Sequence, residues 1–93
     1  MVNIKDWDAS EYLTSEQDAI DYLDAAAETG DPKLIQAAIG DVAKARGMGQ
    51  IAKEAGVGRE SLYKSLSHDG NPSFATILKV VHALGGRISI QAI

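Results

Sequence analysis

The stretch Gln50-Ile51-Ala52-Lys53-Glu54-Ala55-Gly56-Val57-Gly58-Arg59-Glu60-Ser61-Leu62-Tyr63-Lys64-Ser65-Leu66 decides how this 93-residue chain is read. Ala52 is small where one helix has to approach another closely. Gly56, four positions later, permits a tight turn with positive φ. Val57 fills the angle between two short helices, and Leu62 anchors the second of them to a core. This is the spacing of a helix-turn-helix. Arg59, Glu60, Tyr63, Lys64 and Ser67 share the face opposite Leu62. A helix with such a face fits the major groove of DNA, where Arg or Lys reads guanine and Glu accepts from cytosine. Any small helical bundle has close alanine contacts and polar outer faces, so spacing alone leaves a bundle without DNA open. Glu60 would also repel phosphate.

Helical signals flank this stretch on both sides. Thr14 or Ser15 can cap a first helix, along which Ala19, Ile20, Leu23, Ala26 and Ala27 form one stripe that ends near Gly30. Asp31-Pro32 starts a second helix, with Asp as cap and Pro at the first helical position. Ile35, Ala38, Ile39 and Val42 give that helix a buried face, and Arg46-Gly47 closes it. After the polar loop Ser67–Pro72, Ser73 caps a last helix carrying Phe74, Ile77, Leu78, Val81 and Leu84, which stops at Gly85-Gly86. The expected fold is all-α: a five-helix domain over 15–86, behind an irregular, acidic N-terminal arm over 1–14. The tail 87–93 alternates polar and apolar and reads as a short C-terminal β-strand. A lone strand leaves its backbone groups open to another chain, so it either pairs across a two-fold axis with a second copy or frays.

Composition bounds the rest. The chain is one domain, 45% hydrophobic, with no cysteine for disulfides, thiolate zinc or a cysteine nucleophile. About 60% of the unfolded surface can be buried at this size. No basic-then-apolar leader and no long apolar run is visible, so the expectation is a cytoplasmic protein that neither enters nor crosses a membrane. The net charge of −4 argues, as an average, against nucleic acid. It is unevenly distributed. Residues 1–31 hold nine acids and one base, net −8, whereas 32–93 hold eight bases and four acids, net +4. Either an acidic helix is simply solvated beside a basic one, or the two parts serve partners of opposite charge.

The chain resembles the probable addiction-module antidote proteins, a branch of the repressor-like helix-turn-helix antitoxins similar to the HigA type. The likeness spans nearly the whole chain. It is carried by Gly30-Asp31-Pro32, the run Gly40-Asp41-Val42-Ala43-Lys44-Ala45-Arg46-Gly47-Met48, the helix-turn-helix, Arg59-Glu60-Ser61-Leu62-Tyr63-Lys64, then Gly70-Asn71-Pro72-Ser73-Phe74-Ala75-Thr76 and Ala83-Leu84-Gly85. Gly49 and Gly58 stand where the pattern usually has serine caps, and Gly86 where an apolar residue is usual. The resemblance implies a non-enzymatic antitoxin of a type II toxin–antitoxin module. Such a protein neutralises a small basic ribonuclease-type toxin and represses its own operator, typically as a homodimer. Carried onto this chain, Arg59, Glu60, Tyr63 and Lys64 are the candidates for base edges, and Gln50 for a phosphate. Asn71, Ser73 and Thr76, near the start of the last helix, are further DNA candidates. Ser73 serves equally as a plain cap, Asn71 as a turn residue and Tyr63 as half-buried packing. His68, just past the recognition helix, is a further phosphate candidate. Asp18, Asp21 and Asp24 on the acidic helix are the toxin-binding candidates.

Other matches lack their context. Gly47-Met48-Gly49-Gln50-Ile51-Ala52 fits a dinucleotide fingerprint but follows a helix instead of a strand. Ser61-Leu62-Tyr63-Lys64 fits an acyl-serine motif without its companions. His82 reads as a surface or partly packed residue, and the acids form no calcium loop. No catalytic constellation, metal site or cofactor is expected. The competing functions are a phage-like repressor with no toxin partner and an interaction module with a degenerate helix-turn-helix.

Overall fold

Ser15 opens the first helix, as its hydroxyl suits it to do. In the computed structural model, which describes residues 15–67 and 69–93, its Oγ accepts the Asp18 amide at 3.0 Å. Helix α1 runs Glu16–Glu28, with Glu16 and Asp18 in its first turn, where acids complement the positive end of the helix dipole. Asp31 caps α2 (Pro32–Arg46), accepting from the amides of Lys33 and Leu34; Pro32 is its first residue, and Lys44 and Arg46 lie in its last turn. Gly47 then serves both as the end of α2 and as the N-cap of α3 (Met48–Ala55). Gly56 closes α3 in the left-handed region at φ 72°. The Val57 amide there reaches back to the Ala52 carbonyl at 3.0 Å. Helix α4 (Arg59–Leu66) follows after Gly58, and α5 (Phe74–Ala83) starts on Ser73, whose Oγ accepts the Thr76 amide. The five helices are where the sequence places them, save that α3 begins at Met48, two residues before Gln50.

The core is small and close-packed. Val42, Leu62, Val80 and Leu84 are its largest fully buried side chains, and Ala43, Ala52 and Ala55 keep α2 and α3 near their neighbours. Ala52 and Leu62 thus occupy the roles their spacing predicts, with Val57 packed on the same cluster. α3 lies chiefly against α5 and α4, α2 touches each of the other four described helices, and α1 rests on α2. The α1–α2 contact carries a specific lock: the Tyr22 hydroxyl donates to Asp41 Oδ2 at 2.7 Å. Burial and the adjacent carboxylate raise the Tyr22 hydroxyl to about 12, because both disfavour a second negative charge.

Two expectations need correction. Phe74 is 68% exposed and Leu78 42% exposed, so the buried face of α5 turns instead through Ile77, Val80, Val81 and Leu84. With Ala75, Val80 and Ala83 also apolar, this helix is apolar around most of its circumference, and periodicity cannot single out one face. The tail 87–93 forms no strand. Strand geometry is held by ladder hydrogen bonds, and among the described residues there is no second strand to pair with. The arm 1–14 and His68 lie outside the described residues.

Candidate nucleic-acid interface

α4 is only eight residues long, and two leucines fix its orientation. Leu62 and Leu66 are buried, which turns Arg59, Glu60, Tyr63 and Lys64 to solvent. Tyr63 is 59% exposed and does not take the half-buried packing role. Neither α3 nor α4 has a side-chain cap: Gly47 and Gly58 precede them, so no side chain of the cap residue accepts from their first amides. The starts of the two helices adjoin. A Cβ on Gly49 would lie 3.7 Å from Arg59 Cδ, an ordinary contact distance that puts the Arg59 stem beside Gly49, with Gln50 next to it in the chain. Gln50 is exposed, and its Nε2 donates to Glu54 Oε1 at 2.8 Å, which leaves the second hydrogen of that amide for a phosphate.

Asn71, Ser73 and Thr76 form a second group at the start of α5. Asn71 is exposed. Ser73 Oγ accepts the Thr76 amide and lies 3.0 Å from Thr76 Oγ1, so this pair carries out the capping that the sequence allows as an alternative. The loop between the two groups is pinned from α2. Gln36 Nε2 lies 2.6 Å from the Ser67 carbonyl, 3.0 Å from that of Gly70 and 3.3 Å from that of Ser65. Lys33 Nζ donates to the Gly70 carbonyl at 3.0 Å. Gly70 itself has to be glycine, since a Cβ would collide with the carbonyls of Lys64 and Ser65. Gln36 and Lys33 are positioning residues that the sequence does not reveal: their acceptors are backbone groups about 30 residues away, and no spacing rule reports such a bond.

The acids lie elsewhere. Asp21 and Asp24 are exposed on α1 and Asp18 is half-buried; Asp21 also accepts from Gln17 Nε2 at 2.8 Å. α1 and α4 each pack on α2, so the acidic row and the α4 face belong to separate helices. His82 is exposed in the last turn of α5. Among the described residues, no three His, Asp or Glu side chains gather as a metal site, and no helix is long and apolar enough to cross a membrane.

The sequence profile of a family described as "Probable addiction module antidote protein" matches residues 3–92. The chain belongs to this family. It is also 48% identical over 88 residues to an uncharacterized protein of Haemophilus influenzae (strain ATCC 51907 / DSM 11121 / KW20 / Rd), covering 95% of this chain and 91% of that one. No solved structure matches. Membership makes the class of function that of an antidote in an addiction module, with a cognate toxin as the class of partner.

Proposed function

We propose that the chain is a type II antitoxin that represses its own operator through α3 and α4, acting as a repressor-like helix-turn-helix, and neutralises a small basic ribonuclease-type toxin. The observation that carries the DNA half is the outward face of α4. Arg59, Glu60, Tyr63 and Lys64 are exposed on a helix whose other face is anchored by Leu62 and Leu66, beside two helix starts without a side-chain cap. α4 supplies the base-edge groups and the helix starts supply phosphate contacts. Two copies would present α4 to successive major grooves about 34 Å apart, which is why a homodimer belongs to the proposal. The other half is supported by family membership and by the net −8 of residues 1–31, which complements a basic partner and speeds its capture. Asp18, Asp21 and Asp24 are the contacts assigned there. Both activities place the protein in the cytoplasm with DNA.

The test is a titration of duplex DNA from upstream of the protein's own coding region at fixed salt. Arg59→Ala is expected to weaken binding by about 1–3 kcal/mol if Arg59 reads a guanine. Unchanged affinity removes Arg59 from the interface. Affinity capture from the native host followed by mass spectrometry tests the other half. A stoichiometric small basic protein supports the antitoxin, whereas operator binding without such a partner supports a phage-like repressor instead.

A further inference from the structure

A cleft of about 550 Å³ opens between α1, α5 and the tail over 86–91, with α2 at its floor. Ile20, Leu23, Ile35, Ile77 and Val81 line it, all of them half-buried with apolar surface still facing solvent. On α1 its border is Asp24 and Glu28, one turn apart and exposed, with no hydrogen bond or ion pair among the described residues. Arg87 is the one cation on its border, on the tail side. Ile20, Leu23 and Ala27 follow at i, i+3 and i+7 along α1, the row that meets the side-chain ridge of another helix.

Charge decides among the occupants. The chain's own residues 1–14 contain Val2, Ile4, Trp7, Tyr12 and Leu13, but their three acids and one base bring a net −2 against the Asp24–Glu28 rim. A second copy offering its own α1 brings the same acids. A second copy offering its basic region would have to commit to this cleft the exposed cations of α4 that the proposed function gives to DNA. A helix with an apolar stripe and Lys or Arg along one flank meets both the aliphatic floor and the unpaired carboxylates. We infer that this cleft receives an amphipathic, cation-flanked helix of a basic partner protein, with Asp24 and Glu28 pairing its cations and Ile20, Leu23 and Ile77 taking its apolar side chains. This rests on the antitoxin reading and extends the partner surface from the acidic row of α1 into the apolar cleft beside it.

The probe is a synthetic peptide of about 18 residues, long enough to be helical, with leucines at i, i+3, i+4 and i+7 and lysines along one flank. Binding to the full-length chain is followed by fluorescence anisotropy and by amide chemical shifts. Shifts are expected at Ile20, Leu23, Ile35 and Ile77. A peptide of the same composition in scrambled order is expected to bind about tenfold more weakly, because it has the charge without the stripe. Ala27→Arg, at an exposed position on the cleft wall, and Glu28→Lys are each expected to weaken the ordered peptide about tenfold, with circular dichroism unchanged. Equal binding of the two peptides, or shifts confined to other helices, overturns the inference. So does a tenfold gain in peptide affinity on deleting residues 1–14, which would make that segment the occupant. Loss of a dimer in light scattering on Ala27→Arg would make it a second copy, with the same result. Host capture separates the two levels: a basic protein retained at full yield by Ala27→Arg leaves the antitoxin standing and sinks the cleft. Ordered-peptide binding with no basic protein captured sinks the antitoxin and leaves the cleft.

Discussion

α1 and α4 both turn charge to solvent and apolar residues inward, yet they are held by different means. α1 has thirteen residues, a serine cap, acids in its first turn and a threonine whose hydroxyl closes its end on the Ala26 carbonyl. Its fully buried side chains are only Ala19 and Ala26, and it leans chiefly on α2. α4 has eight residues and no side-chain cap, too few for an independent helix, but Leu62 and Leu66 drive into the centre of the core. Local signals write α1, whereas tertiary burial imposes α4. The surface proposed to meet DNA at a fixed angle is better served by the second arrangement, because side chains fixed in the core define the helix axis and a cap does not.

That contrast can be broken at its strongest point by Leu62→Ala. Truncating a fully buried leucine is expected to cost about 2–5 kcal/mol in urea unfolding and to weaken operator binding with it. A loss below about 1 kcal/mol would mean that α4 does not depend on the core in this way. Tyr22→Phe removes the hydroxyl lock between α1 and α2 and is expected to cost about 1–2 kcal/mol near neutral pH. The sign of its pH dependence follows from the raised hydroxyl. The folded state favours the neutral phenol, so the contribution is whole below about 10, the ordinary tyrosine value, and is lost as pH climbs towards about 12. The wild-type chain should therefore lose its advantage over Tyr22→Phe across that window, and one tyrosine should titrate late in a 295 nm absorbance curve. Equal alkaline sensitivity of the two chains would contradict the lock.

Smaller effects sharpen the comparison. Ser15→Ala is expected to cost about 1 kcal/mol, with hydrogen exchange accelerating in α1 and hardly changing in α4. Gly58→Ser goes the other way. Gly58 sits at φ −71° and ψ 142°, which serine adopts freely, so a new cap should stabilise α4 by a few tenths of a kcal/mol in thermal unfolding. A loss on that substitution would show that Gly58 is needed for something other than the helix start.

The same division explains what the sequence made legible. Ser15, Asp31 and Ser73 are local signals, and each caps the helix expected of it. The spacing of Ala52, Gly56 and Leu62 is also local, and it placed the turn and the outward residues of α4 correctly. Contacts across long separations were not legible. Tyr22 bonds Asp41 across 19 positions, and Gln36 holds carbonyls 29 to 34 positions away. Nor does an almost wholly apolar helix declare its inner face, as Phe74 and Leu78 show. Alternation in 87–93 describes what a strand would look like, but a strand also needs a neighbour.

Gly47 ends α2 and begins α3 with no residue between them. A chain with no slack at that corner cannot absorb an insertion there. One added residue would lengthen the corner by up to about 3.5 Å of chain and strain the seat of Ile51 and Ala52 in the core. Length differences among the chain's relatives should therefore collect at the two ends, and leave the corner at Gly47 and the pinned carbonyls of Ser67 and Gly70 untouched.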